Sequence, residues 1–216
     1  MGLLVSPSLL SADATRLGEE AVRAVEAGGD CLHLDIMDGH FVPNLSFGPH
    51  VCAAVKKVVK VPVVTHLMVE HPERMVGPFL DAGADAVTVH VEAPGDPMGA
   101  FEQVLAAGRR AGVALRPDTA AGAADAYYRR AGLVLVMTVF PGFGGQEYIP
   151  GAVGKLASVA PKVSPGTWLE VDGGINDRTA GEAIRAGANL LVSGSYLFGA
   201  PDMAAAIAGL RSAGEG

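Results

Sequence analysis

Short apolar, β-branched runs alternate with Ala-rich amphipathic stretches from one end of the chain to the other. The runs fall at 3–8, 31–36, 61–67, 86–91, 113–116, 133–139, 168–171 and 189–193, and each reads as a buried strand. The stretches at 13–27, 49–59, 73–82, 97–111, 120–130, 151–160, 177–186 and 202–212 have helix length. Leu17, Ala21 and Val25 form the apolar stripe of the first helix. Ala27-Gly28, Ala82-Gly83, Ala111-Gly112, Ala131-Gly132 and Ala186-Gly187 read as helix stops, because glycine takes the left-handed conformation that closes a helix. Eight strand–helix units predict an α/β fold, a single (β/α)8 TIM barrel over 1–216. An open doubly wound sheet is the alternative.

The second strand has two unlike faces. Leu32, Leu34 and Ile36 point one way, while Cys31, His33 and Asp35 point the other, since side chains alternate along a strand. In a barrel, active sites sit at the C-terminal ends of strands, so polar residues there carry the functional reading. Strand 1 brings Ser6 and Ser8, strand 2 His33, Asp35, Met37 and Asp38, and strand 3 His66 and Met68. Strand 4 brings His90 and Glu92, strand 5 Arg116 and Asp118, and strand 6 Met137. Strand 7 brings Asp172, and strand 8 Ser193-Gly194-Ser195.

His33, Asp35, His66 and Asp172 form a candidate metal site. Two imidazoles and two carboxylates suit Zn(II), Fe(II), Mn(II) or Co(II) equally, and one ion per chain is expected. A metal-free, hydrogen-bonded polar cluster is the alternative, at the cost of burying two acids. His90 with Glu92 suits a pair supporting such a site better than a ligand pair. His40, His50 and His71 fall in loops or at a helix start and suit surface roles.

Glycine supplies the second constellation. Gly142-Phe143-Gly144-Gly145 follows strand 6, Gly173-Gly174 follows strand 7 and Gly194-Ser195 follows strand 8. These loops are neighbours in a barrel, and their amides are expected to converge on a phosphate rather than serve as plain turns. No Walker sequence and no Gly-x-Gly-x-x-Gly after strand 1 is present, so a nucleotide is not indicated.

Composition narrows the class further. Half of the 216 residues are hydrophobic and the net charge is −7 without a basic run, which argues against nucleic acid and anionic membrane as partners. No stretch has the length and apolarity of a membrane span, and the N-terminus lacks a signal-peptide pattern. Cys31 and Cys52 make no disulfide framework, and a cytoplasmic location is the default expectation. Lys56, Lys57, Lys60, Lys155 and Lys162 all fall on helices or their flanks, so no lysine is placed for Schiff-base or carboxylate–lysine decarboxylase chemistry. What remains is carboxylate acid–base chemistry beside a metal, on a phosphorylated substrate.

The residues also resemble a known family. Ser6-Pro7-Ser8-Leu9-Leu10-Ser11-Ala12-Asp13 is similar to the opening of ribulose-phosphate 3-epimerases. The stretches 33–44, 66–69, 88–93, 137–139, 141–146, 171–176 and 193–195 match the same pattern in order, over nearly the whole chain. The resemblance implies a (β/α)8 barrel holding one divalent metal, Zn(II) or Fe(II) most often, which interconverts D-ribulose 5-phosphate and D-xylulose 5-phosphate. It implies His33, Asp35, His66 and Asp172 as metal ligands, and Asp35 and Asp172 as the two proton-transfer carboxylates. It implies substrate contacts at Ser8, His66, Asp172 and the glycine loops, from Gly142, Phe143, Gly144 and Gly145 through Gly173 and Gly174 to Gly194 and Ser195. Met37, Met68 and Met137 are expected to cap the site and exclude water, although plain core filling would suit them too. The substrate partner is a small sugar phosphate, and a homo-oligomer is expected.

The chemistry fits these residue types. The C3 hydrogen lies α to the C2 carbonyl, so a metal on O2 and O3 would stabilise a cis-enediolate, and epimerisation needs a proton-transfer group on each face of it. Phe140 before Pro141 and Arg116 before Pro117 depart from the Asn frequent at both places. They leave open 3-epimerisation of another ketose phosphate, such as D-allulose 6-phosphate. Phosphate-binding barrels of tryptophan or histidine biosynthesis lack the metal cluster, and a non-catalytic sugar-phosphate binder would need neither carboxylate.

Overall fold

Eight parallel strands form one sheet in the order β1-β8-β7-β6-β5-β4-β3-β2. They are β1 (Leu4–Pro7), β2 (Leu32–Met37), β3 (Val63–Met68), β4 (Ala86–His90), β5 (Arg110–Leu115), β6 (Leu133–Met137), β7 (Trp168–Asp172) and β8 (Leu190–Ser193). The computed structural model describes residues 2–214. β1 and β2, the ends of that order, meet through a parallel bridge between Ser8 and His33, which closes the ring. This is the (β/α)8 barrel rather than an open doubly wound sheet.

The helices are α1 (Leu17–Glu26), α2 (Pro49–Val58), α3 (Pro72–Asp81), α4 (Pro97–Ala106), α5 (Lys155–Val159), α6 (Ala180–Arg185), α7 (Ser195–Phe198) and α8 (Met203–Ser212). Proline opens α2, α3 and α4, where its missing N–H costs nothing. Side chains cap others: Asp96 accepts the Gly99 N–H at 2.8 Å, and Asp202 accepts the Ala205 N–H at 2.9 Å.

Strand alternation divides the interior. Outward residues such as Leu32, Leu34, Leu67, Val89 and Val113 pack under the helices with Phe79, Phe101 and Leu156. Inward residues Cys31, Val64, Ala86, Ala114, Leu133, Leu135 and Leu190 fill the lower barrel. Trp168 closes its base, with the Arg110 guanidinium 3.9 Å from the ring centroid. Above this apolar plug the inward positions turn polar, and there the site is built.

Three local expectations fail. Residues 97–111 do not make one helix: α4 ends at Ala106, Gly108 takes φ +67, and β5 already begins at Arg110. Gly112 is therefore a mid-strand residue, small because a Cβ there would strike Thr88. Residues 120–130 form only a 3-10 turn at Ala121–Ala124; Gly122 weakens the segment, and the Tyr128 hydroxyl donates to the Ala121 carbonyl at 2.5 Å. The expected helix at 151–160 is split between a 3-10 turn and the short α5.

Candidate active site

Strand register assembles a site from residues far apart in sequence. Asp35 pairs with His66 across β2 and β3, and Met137 pairs with Asp172 across β6 and β7. His33, Asp35, His66 and Asp172 then offer one ligand atom each, all within 4.8 Å of one another. Asp35 Oδ1 lies 3.2 Å from His33 Nε2 and 3.1 Å from His66 Nδ1. Asp172 Oδ2 sits farther out, 3.9 Å from His33 Nε2 and 4.0 Å from His66 Nδ1. The Ser8 hydroxyl donates to Asp35 Oδ2 at 2.7 Å and fixes the carboxylate from the β1 side.

The electrostatics are lopsided. Burial would raise the Asp35 pKa, but the adjoining His33 holds it far below the usual carboxylate value. Asp172 goes the other way: burial, then the neighbouring charge of Asp35, push it up to about 8. Burial opposes charge on His33, yet Asp35 on one ring nitrogen and Glu170 on the other hold its pKa well above the ordinary value. Burial pulls His66 down to about 4 despite its contact with Asp35.

Two further groups stand behind the histidines. Glu170, fully buried on β7, lies 2.9 Å from His33 Nδ1, although neither of its oxygens makes a well-aligned hydrogen bond among the described residues. Sequence reasoning missed it, although Trp168, Glu170 and Asp172 share the inward face by alternation. His90 Nε2 lies 2.8 Å from His66 Nε2, and His90 Nδ1 lies 3.0 Å from Glu92 Oε2. Glu92 Oε1 accepts the Arg116 backbone N–H at 2.8 Å. Burial would raise the Glu92 pKa, but His90 holds it at about 2. Phe41 covers His90 with its ring 5.1 Å away, and the Arg116 guanidinium lies 4.3 Å over Phe41.

A cavity of about 430 Å³ opens above the four ligand atoms. Ser8, Asp35, Asp172, the three methionines and the glycines of all three loops line it. Met37, Met68 and Met137 are buried at its wall. Phe143 and Ser195 also line it, and Phe140 is half exposed at its mouth. His33 and His66 are fully buried beneath the floor rather than in the wall. Arg116 does not line the cavity and instead packs on Phe41; Arg178, which sequence reasoning passed over, does line it.

Two of the loop glycines sit where neighbouring segments of the chain pack closely. Gly174 has φ +65, and a Cβ there would fall 2.6 Å from the Tyr148 nitrogen. At Gly194 a Cβ would fall 2.5 Å from Ser11 Oγ. Among the described residues, the N–H groups of Gly144, Gly145, Gly174 and Gly194 donate to no protein acceptor. Among the described residues, no lysine lines the cavity.

Known proteins fit this geometry. The sequence profile of the Ribulose-phosphate 3 epimerase family matches residues 4–198. The chain is 43% identical to a ribulose-phosphate 3-epimerase of Mycobacterium tuberculosis (strain ATCC 25618 / H37Rv), over 97% of this chain and 92% of that one. It is 43% identical to the Bacillus subtilis (strain 168) protein of that name, over 96% and 97% of the two chains. The chloroplastic ribulose-5-phosphate-3-epimerase of Arabidopsis thaliana is 45% identical, over 97% of this chain and 76% of its own length. Among solved structures, a 3-hexulose-6-phosphate synthase from Salmonella typhimurium shares the fold at TM-score 0.68 and 18% identity, over 100% of this chain and 99% of that one.

Proposed function

The chain belongs to the ribulose-phosphate 3-epimerase family, and from that premise we propose how its residues interconvert D-ribulose 5-phosphate and D-xylulose 5-phosphate. The observation that carries the proposal is the convergence of Asp35 and Asp172 at the floor of a cavity walled by amide-bearing glycine loops. Asp35 takes the C3 proton of D-ribulose 5-phosphate, and Asp172 supplies one to the opposite face of the planar intermediate. The reverse reaction exchanges the roles. One carboxylate on each face can take or give a proton, so the division of roles follows the direction of the reaction. The Ser8 hydroxyl holds Asp35 in place and contacts substrate. Met37, Met68 and Met137 keep water from the exposed carbanion face.

The donor set fits a divalent ion. Two imidazole nitrogens and two carboxylate oxygens lie close enough to share one, and the burial and then the Asp35 repulsion that raise Asp172 are costs a cation relieves. His33, Asp35, His66 and Asp172 hold it, with zinc or iron favoured by the resemblance to the family and manganese or cobalt compatible with the same ligands. When bound, the ion supplies Lewis-acid stabilisation of negative charge developing on the substrate oxygens. The amides of Gly144, Gly145, Gly174 and Gly194 hold the phosphate, with Phe143, Gly142, Gly173 and Ser195 shaping the cradle.

Comparing kcat/KM across ketose phosphates tests the substrate. D-ribulose 5-phosphate is expected to exceed both D-allulose 6-phosphate and unphosphorylated D-ribulose. Preference for the hexulose phosphate would assign the half-exposed Phe140 at the mouth to a different substrate.

A further inference from the structure

His66, His90 and Glu92 stand in line behind the candidate metal site, each within hydrogen-bond reach of the next. Glu92 fixes the direction of that line. Its carboxylate is ionised at neutral pH and only accepts, and one oxygen is already taken by the Arg116 N–H. The nitrogen facing it, His90 Nδ1, must therefore carry the proton. Both imidazoles are fully buried, which disfavours a second proton on either, so His90 Nε2 is left as an acceptor. His66 Nε2 must then donate, and His66 Nδ1 is left with a bare lone pair. That lone pair faces Asp35 Oδ1, another acceptor, at 3.1 Å. Two acceptors at that distance repel unless a cation lies between them.

We propose that Glu92, acting through His90, is a positioning residue that fixes the His66 tautomer with Nδ1 free for a metal. This rests on the metal reading given above and assigns a task to two residues that touch neither substrate nor ion. Phe41 over His90, with Arg116 over Phe41, shields the line from solvent at the barrel mouth. His33 is served differently, since a carboxylate, Glu170, stands directly beside its outer nitrogen. Only the β3–β4 side uses a second imidazole as intermediary.

Glu92→Gln tests the polarity with almost no change of shape. The new amide oxygen keeps the Arg116 N–H, so its NH2 must face His90 Nδ1. Every proton in the line then reverses: His90 Nε2 donates to His66 Nε2, and the His66 proton moves to Nδ1. Ring 15N shifts of the zinc-free protein read this directly. The expected wild-type result is His66 protonated on Nε2, and the expected Glu92→Gln result is His66 protonated on Nδ1. Zinc affinity, measured by chelator competition, is expected to fall about 10- to 100-fold in the variant. A merely structural role would instead lower thermal stability and leave the tautomer alone. Glu92→Asp, which can only accept, is expected to keep the wild-type tautomer and serves if Glu92→Gln folds poorly. His66 protonated on Nδ1 in the wild type, or on Nε2 in Glu92→Gln, would overturn the proposal, as would undiminished zinc affinity in Glu92→Gln. Wild-type protein with the expected tautomer and tight zinc but no epimerase activity would sink the functional reading and leave this one standing.

Discussion

At the scale of single residues, protonation is the most testable property of the site. Without metal, Asp172 has a pKa of about 8, because it is buried beside the charged Asp35. His33 is held above its ordinary value by Asp35 and Glu170, so both groups carry protons at pH 7. A ligating carboxylate and a ligating imidazole nitrogen must each be bare. Metal loading at pH 7 is therefore expected to release about two protons per ion. Because these pKa values are raised, the competition from protons strengthens as pH falls, and metal affinity drops with it. Titration calorimetry in buffers of different ionisation enthalpy measures the number. Release of none would mean that His33 and Asp172 are not both ligands. His66→Ala is expected to lose metal and turnover together.

At the scale of elements, the glycine loops carry the phosphate claim. Gly174→Ala places a Cβ against the Tyr148 backbone in a positive-φ conformation, whereas Gly145 has open space around it at φ +72. Gly174→Ala is expected to raise KM for D-ribulose 5-phosphate by roughly tenfold or more, with a smaller change in kcat, and Gly145→Ala less. A larger KM effect from Arg178→Ala than from Gly174→Ala would assign the phosphate to side-chain charge instead of amides. The strands were legible because buried parallel strands read as continuous apolar runs, and polar residues stand out at their ends. Helix boundaries were less so. Ala107-Gly108 is the true stop of α4, and it was hidden within an Ala-rich run that continues into β5. The segment 120–130 shows Ala-rich composition, but its fold depends on how Tyr127 and Tyr128 pack, which no local period reveals. At the site, the four residues that converge as a candidate metal cluster were readable from alternation and from strand ends. Glu170 escaped notice because it lies within the run 168–171 rather than at a strand's C-terminal end, and barrel closure is what brings it beside His33.

At the scale of the whole molecule, the site ties together strands that are distant along the chain. Asp35 and His33 on β2, His66 on β3 and Asp172 on β7 meet near the β1–β2 closure, where a single bridge and the Ser8–Asp35 hydrogen bond join the ring. An ion shared by these residues would crosslink the strands in the folded state alone. A metal present at a thousand times its Kd stabilises by about 4 kcal/mol. For a chain of 216 residues this corresponds to a Tm difference of roughly 10 °C. Chelation is expected to lower Tm by about that amount and re-addition to restore it; unchanged calorimetric scans would count against a bound ion. No helix of the described residues is long and apolar enough to cross a membrane.

Asp35 and Asp172 are proposed to carry the proton on opposite faces of one intermediate. Turnover in deuterium oxide, with metal content determined in each sample, addresses this most directly. In the wild-type protein, D-xylulose 5-phosphate formed from D-ribulose 5-phosphate is expected to carry deuterium at C3 from the earliest time points. Asp35→Asn and Asp172→Asn are each expected to lose epimerisation by several powers of ten, whether or not metal is retained. Either variant epimerising at a near-normal rate with its metal in place would remove that carboxylate from proton transfer, and wild-type product retaining the original hydrogen at C3 would rule out exchange through the two carboxylates.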